Sequence, residues 1–375
     1  MPDQTGKPNG RPSVEGRAED VGRAGRAGDG SANYAALDLG TNNCRLLVAR
    51  PSRRGFQVVD AFSRIIRLGE GLTTTGRLSE AAMTRTIDAL GVCAEKLRRR
   101  GVVRSRLIAT EACRTAANGA EFLGRVRTET GLTLEIVSRE TEARLAVTGC
   151  ATLIDRQAST VLVFDIGGGS SELIWLDFAG QPRARPHPLG FGVDRAIRAW
   201  TSLPVGVVTL SERFGGREVD RDLYEAMVNH VQSMLHAFES EHRIGNRICS
   251  GAAHLLGTSG TVTTVAGIHL ALPVYDRRQV DGCWLDNGQI REVSDRLIAM
   301  SYDERVAQPC IGRDRADLVL AGCAILEAML RIWPCERLRV ADRGLREGML
   351  AGMMAEDGVH RQRRRRSDRS SGDYR

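Results

Sequence analysis

The spacing of apolar and polar positions changes along the chain, and each change marks an element. Tyr34–Leu39 is almost continuously apolar and predicts a buried strand. Gly40-Thr-Asn-Asn43 interrupts it as a turn, and Arg45–Ala49 returns as a second strand. Phe56–Leu68 carries β-branched residues and predicts a third extended stretch. Ser79–Arg100 predicts a helix. Ser79 can cap it, and Met83, Ile87, Leu90, Cys93, Ala94 and Leu97 fall on one face. A strand at Arg104–Ala109, helices at Thr110–Asn118 and Ala120–Glu129, a strand at Leu132–Val137 and a helix at Arg139–Leu153 follow. The order is β-β-β-α-β-α-β-α.

At Val161 the pattern starts again. An apolar run to Phe164, a glycine turn and a second run at Leu173–Leu176 predict another hairpin, with a third strand expected near Pro186–Gly190. Helices are expected at Asp194–Trp200 and Asp220–His242. Leu255-Leu-Gly-Thr-Ser-Gly-Thr261 predicts a short strand entering a helix through a turn of small residues. Further helices are expected at Asn287–Met300 and Arg315–Trp333, then a strand at Arg337–Ala341 and a last helix at Gly344–Met354.

The two hairpins align. Leu37-Asp-Leu-Gly-Thr-Asn-Asn-Cys-Arg-Leu-Leu-Val48 lies against Phe164-Asp-Ile-Gly-Gly-Gly-Ser-Ser-Glu-Leu-Ile-Trp175, matching Asp38 with Asp165, Gly40 with Gly167 and Leu46 with Leu173. One Asp-x-Gly turn is weak evidence, because such turns are common in hairpins. Two in register imply an internal repeat: two like α/β domains, each offering a glycine turn to one cleft. The expected division is a disordered tail over 1–32, a first domain over 33–148, a second over 149–356 and a basic disordered tail over 357–375.

Composition narrows the class. The 375 residues are 42% hydrophobic and 26% charged, as in soluble globular proteins. No apolar run approaches the roughly 18 residues that a membrane span needs. The polar N-terminus lacks the apolar core of a secretory signal, so a cytoplasmic protein is expected. Net charge is +7, but His360–Arg375 holds seven Arg against two Asp, a net +5. The body is therefore near balance and does not look built for nucleic acid. A solvated end is the plainer reading of the basic run; contact with RNA, anionic lipid or a polyanionic substrate is the other. Lys7 and Lys96 are the only lysines, and neither lies in a glycine loop, which excludes a P-loop nucleotidase. The nine cysteines form no CxxC pair, and His230, His236 and His242 recur at a spacing that shares no helix face.

The candidate chemistry lies in the hairpins. Bare backbone N–H groups in a glycine turn form a concave anion nest. Asp165 and Glu172 bracket the second turn, as they would for a metal ion seated on a phosphate. The plain alternative is a hairpin turn with Asp165 capping its own backbone.

Six motifs together resemble the exopolyphosphatase and guanosine pentaphosphate phosphatase (Ppx/GppA) family, within the actin, Hsp70 and sugar-kinase superfamily. They are Ala36-Leu-Asp-Leu-Gly-Thr-Asn42, Ala109-Thr-Glu-Ala-Cys-Arg-Thr-Ala-Ala-Asn118, Ser138-Arg-Glu-Thr-Glu-Ala-Arg144, Asp165-Ile-Gly-Gly-Gly-Ser-Ser-Glu172, Gly257-Thr-Ser-Gly-Thr261 and Asp342-Arg-Gly-Leu-Arg-Glu-Gly348. They follow the family's order over about Tyr34–Met354, in the short form without an added C-terminal helical domain. The resemblance implies two RNase H-like (actin-like ATPase) domains with a cleft between them.

It also implies roles. Backbone N–H groups of Gly40, Thr41, Asn42 and Asn43 and of Gly167, Gly168, Gly169, Ser170 and Ser171 would hold phosphate, with hydroxyls of Thr41 and Ser170 as added donors. Gly257, Thr258, Ser259, Gly260 and Thr261 would line the cleft from the second domain. Asp38, Asp165 and Glu172 are the candidate carboxylates for Mg²⁺. Glu142 matches the family's catalytic base, while Glu140, two residues away on the predicted helix, would point elsewhere. Thr141 stands where relatives often carry another acid. Arg114 matches an arginine that binds substrate phosphate, whose planar fork suits that task. Arg45, where relatives vary, is left out; Arg313 and Arg315 would add positive potential for a long polyanion, but ion pairs with Asp314 or Asp317 explain them as well.

The implied activity is exopolyphosphatase: hydrolysis of the terminal phosphoanhydride of inorganic polyphosphate, releasing orthophosphate. Guanosine pentaphosphate 5′-phosphohydrolase is the close alternative. A nucleotide-dependent kinase or ATPase of the same superfamily and a non-enzymatic phosphate sensor stand further off. No specific nucleic acid or membrane partner is implied; a homodimer is compatible with the family.

Overall fold

The computed structural model describes residues 32–53, 55–179, 192–250 and 252–359. The apolar run at Tyr34 becomes the middle strand of a five-stranded sheet, because helices cover both of its faces. This sheet comprises β1 (Asn33–Leu39), β2 (Asn43–Ser52), β3 (Gly55–Ile65), β4 (Val102–Ala109) and β5 (Glu135–Ile136), in the order β3-β2-β1-β4-β5. The second sheet comprises β6 (Thr160–Ile166), β7 (Ser171–Asp177), β8 (Ile197–Leu203), β9 (Ala253–Thr258), β10 (Trp284–Leu285) and β11 (Leu338–Ala341). Its order is β8-β7-β6-β9-β11-β10, so its first five strands repeat the order of the first sheet. Strand directions repeat as well: β1 runs antiparallel to β2 and parallel to β4, and β6 runs antiparallel to β7 and parallel to β9. The fold is thus a two-domain α/β structure built on an internal repeat, with two RNase H-like sheets.

Helices Glu80–Arg99 and Gly119–Thr130 cover one face of the first sheet, packing on Leu37, Leu39, Leu46 and Val48. Helices Arg221–His242, Gly260–His269 and Val319–Ile332 cover the outer face of the second, against Leu162, Phe164 and Leu173. Between the sheets the covering helices are exchanged. Arg139–Cys150 packs on Val161, Val163 and Ile174 of the second sheet. The late helix Leu345–Glu356 returns to pack on Tyr34, Ala36 and Leu47 of the first. They touch through backbone: a Cβ on Gly149 would lie 1.8 Å from the Gly344 carbonyl oxygen, and one on Gly348 2.1 Å from that of Leu145. The division expected between residues 148 and 149 falls inside the first of these helices.

Two local expectations differ. Asp194–Trp200 is not a helix. A short 3₁₀ turn, Val193–Ala196, leads into β8, which pairs antiparallel with β7 from Leu176↔Ile197 to Ser171↔Leu203. Ladder pairing overrides local propensity there, and Ala199 and Leu203 supply the inward positions. Leu132–Val137 contributes only the two residues of β5 to the sheet. The strand expected near Pro186–Gly190, the N-terminal tail to residue 31 and the tail from His360 lie outside the described residues. Seven of the nine cysteines are buried, as small core residues. Among the described residues no helix is long and apolar enough to cross a membrane.

Candidate active site

Both hairpins turn in the same way. The Gly40 N–H donates to the Asn43 carbonyl at 2.9 Å, and the Gly167 N–H donates to the Ser170 carbonyl at 2.9 Å. These two N–H groups therefore close the turns and are not free for phosphate, contrary to the expectation for Gly40 and Gly167. The N–H groups of Thr41, Asn42, Gly168, Gly169 and Ser170 have no acceptor among the described residues. That is the nest an anion needs. The turns also abut: a Cβ on Gly168 would lie 3.0 Å from Thr41 Cβ, and one on Gly169 2.9 Å from Thr41 Oγ1. A side chain at either glycine would press on Thr41. Buried side-chain oxygens Asn42 Oδ1 and Asn43 Oδ1 have no hydrogen-bond partner among the described residues.

The hairpins line one cleft of about 140 Å³. Asp38, residues 40–43, Glu142, Asp165, residues 167–170, Glu172 and residues 259–261 all face it. The other expected residues do not. The Ser171 hydroxyl is buried and donates to the Val205 carbonyl. Gly257 is a packing glycine: a Cβ there would lie 2.7 Å from the Phe164 ring. The Thr258 hydroxyl donates to the Arg343 carbonyl.

Glu142 reaches the cleft from the start of its helix. Ser138 caps that helix, its hydroxyl accepting from the Thr141 N–H at 3.2 Å. The turn this fixes sends Glu140 to solvent, where it pairs with Arg144, and Glu142 inward. Arg114 sits behind Glu142, its Nη1 and Nη2 each 3.2 Å from Glu142 Oε2.

Four carboxyls in this cleft are pushed above their usual range. Burial and the charges of Glu172 and Asp38 take Asp165 up to about 8, with Arg45 opposing. Burial raises Glu142 well above normal, aided by Glu172, while Arg114 opposes it. Burial also raises Glu172, against hydrogen bonds from the Ser170 hydroxyl at 2.7 Å and the Ser202 hydroxyl at 2.8 Å. Asp38 is raised by burial too, with Arg45 and Arg346 opposing. Burial and mutual repulsion thus favour the neutral form of these carboxyls, and a cation seated among them would reverse that preference.

Among the described residues no three His, Cys, Asp or Glu side chains are grouped to cage a metal. The donors present suit an ion that keeps its waters. Asp165 and Glu172 are directly opposed on β6 and β7, and Asp165 forms no ion pair among the described residues. Oxygen ligands from one or two carboxylates, completed by water and phosphate, are the usual magnesium set. Asp38 differs, because Arg45 stands opposite it on β2.

Three further residues line the cleft: Arg45 and Arg315, which sequence reasoning weighed but did not assign, and Glu111, which it did not single out. Gly260 brings the two arginines together, since a Cβ there would lie 3.7 Å from Arg315 Nη1 and 3.9 Å from Arg45 Nη2. Asp317, expected as a partner for Arg313 or Arg315, instead pairs with Arg67, which follows β3 of the first sheet, at 2.9 Å. That contact frees Arg315 to face the cleft. An arginine-rich composition hides such residues, because an isolated Arg carries no positional signal.

Known proteins resemble this chain over most of its length. The model of the Ppx/GppA phosphatase family matches residues 47–357. A solved Ppx/GppA family member from Aquifex aeolicus is 28% identical, covering 87% of this chain and 98% of its own, with a TM-score of 0.69. An exopolyphosphatase-like protein is 26% identical, with 86% and 97% covered and a TM-score of 0.74. An exopolyphosphatase from Cytophaga hutchinsonii is 24% identical, with 87% and 98% covered and a TM-score of 0.74, a likeness of fold.

Proposed function

The chain belongs to the Ppx/GppA phosphatase family, and we propose that it acts there as a Mg²⁺-dependent exopolyphosphatase. The observation that carries this reading is the convergence of two unpaired N–H nests and one inward-facing Glu142 on a single cleft. Phosphoanhydride hydrolysis needs little else: a held phosphoryl group, neutralised charge and an aimed water. The choice of polyphosphate rests on what lines the cleft. No aromatic side chain does so among the described residues, leaving a purine no ring to stack on, whereas Arg45 and Arg315 suit a further phosphate. The name of the 26% identical relative, an exopolyphosphatase-like protein, points the same way.

In this mechanism the terminal phosphate lies on the N–H groups of Thr41, Asn42, Gly168, Gly169 and Ser170. The Ser170 hydroxyl serves Glu172. Asp165 and Glu172 would hold Mg²⁺, which supplies charge neutralisation on the phosphate oxygens. Glu142 orients a water and takes its proton; the water oxygen bonds to the terminal phosphorus as the bridging P–O bond breaks. Orthophosphate and a chain one unit shorter are the products. Burial that raises Glu142 brings its basicity toward working pH.

The test is phosphate release from long-chain polyphosphate, guanosine pentaphosphate and ATP, each with Mg²⁺. Polyphosphate is expected to yield orthophosphate fastest. Release from guanosine pentaphosphate alone would move the protein to the nucleotide branch, and release from none would overturn the hydrolase reading.

A further inference from the structure

Glu111 is a cleft acid that the mechanism leaves unused. It begins the short helix Glu111–Thr115, is 8% exposed, and packs under the second hairpin, where a Cβ on Gly169 would lie 3.1 Å from its Cγ. Both of its oxygens are engaged. Oε2 accepts from Arg114 Nε at 3.1 Å, Arg114 Nη2 at 2.5 Å and Arg139 Nε at 3.1 Å, while Oε1 accepts from Arg139 Nη2 at 2.6 Å. Arg114 donates onward to Glu142 and, from Nη1, to the Val137 carbonyl at 2.6 Å. Every nitrogen of Arg114 therefore serves a protein acceptor. A guanidinium has five N–H donors, and Arg114 makes five such bonds. It cannot clamp a phosphate in the bidentate manner without stripping a buried carboxylate of its partner, which is strongly unfavourable.

We infer that Glu111 is a positioning residue that commits Arg114 to the base Glu142 rather than to substrate phosphate. The inference rests on the reading of Glu142 as the base. It departs from the role that motif resemblance implies for Arg114. Arg139 belongs to the same device: it binds the free edge of Glu111 and keeps that carboxylate from turning toward the cleft acids. Hydrogen bonds from Arg139 and Arg114 outweigh the effect of burial and leave Glu111 below the usual carboxylate range, a charged anchor.

A double-variant cycle tests this, read by calorimetric binding of tripolyphosphate without metal and by steady-state turnover on polyphosphate. Arg114→Gln is expected to lower kcat by about tenfold or more while Kd and KM change by less than about threefold. Glu111→Gln is expected to tighten tripolyphosphate by about tenfold, because Arg114 is released toward the anion, and to lower kcat. Adding Arg114→Gln to it should abolish that gain. Tenfold weaker tripolyphosphate binding in Arg114→Gln alone would overturn the inference, as would equal effects of Arg114→Gln in both backgrounds. If Glu111→Gln does not fold, the kcat-against-KM split of Arg114→Gln decides. Binding needs no turnover, so a wild type that binds tripolyphosphate but hydrolyses nothing would sink the hydrolase reading and leave the cycle informative. No binding by either wild type or Glu111→Gln counts against the inference.

Discussion

The two glycine hairpins are near copies in backbone and opposites in charge. Each Asp stands at the end of a central strand, followed by a turn closed by the same 2.9 Å hydrogen bond. In the first, the residue across the ladder from Asp38 is Arg45. In the second, the residue across from Asp165 is Glu172. The first hairpin thus carries its own counter-charge, and the second sets two carboxyls opposite each other without one. Duplication supplies two nests on one cleft, and under the proposed function a single cross-strand difference sets which half would hold the metal. The proposed base comes from neither: Glu142 reaches the cleft from the helix that crosses to the second sheet.

Exchanging charge at the two hairpins is expected to have the largest effect. Glu172→Gln should lower turnover by roughly 10²-fold or more and weaken Mg²⁺ binding, whereas Asp38→Asn should cost about tenfold or less. Kinetics across a Mg²⁺ titration measure both; equal losses would erase the asymmetry. A smaller contrast concerns the matched glycines. A Cβ on Gly167 would sit 2.8 Å from the Ser170 carbonyl oxygen, against 3.5 Å from that of Asn43 for Gly40. Gly167→Ala should destabilise by about 1–3 kcal/mol in urea unfolding and Gly40→Ala by less than about 1. Matching values would show that the turns are equally roomy.

The smallest effect is on stability against pH in metal-free protein. Asp165 keeps its proton up to about 8 in the fold, while an unfolded Asp ionises near 3.9. Between those values the folded chain binds the extra proton, so stability falls as pH rises through that window. Glu142 and Glu172, also raised, act with the same sign. The melting temperature should decline from about pH 5 to about pH 8 without metal, less so in Asp165→Asn or with Mg²⁺. A wild-type curve that rises across this range would refute the charge account of the second hairpin.

Sequence carried the repeat because its signals are local and periodic. The strand runs, the Asp-x-Gly turns and the Ser79 and Ser138 caps each survive in the structure. What it did not carry depends on contacts distant in the chain. Ile197–Leu203 became a strand only by pairing with β7. The helix exchange joins Leu345–Glu356 to the first sheet across some 300 residues of sequence. Arg45 and Arg315 meet at Gly260 although nothing in their neighbours marks them, and the Arg67–Asp317 pair joins residues 250 apart in the chain. Whether a motif glycine offers its N–H to a ligand or closes its own turn is a matter of hydrogen bonding, which spacing alone does not reveal.

The most direct test of the account compares Glu142→Gln with Glu140→Gln, measuring orthophosphate release from polyphosphate with Mg²⁺ alongside polyphosphate binding. Glu142→Gln should lose about 10²-fold or more in turnover yet still bind, and Glu140→Gln, whose exposed side chain pairs with Arg144, should remain close to wild type. An active Glu142→Gln beside a dead Glu140→Gln would contradict the assignment of the base and the cleft chemistry built on it.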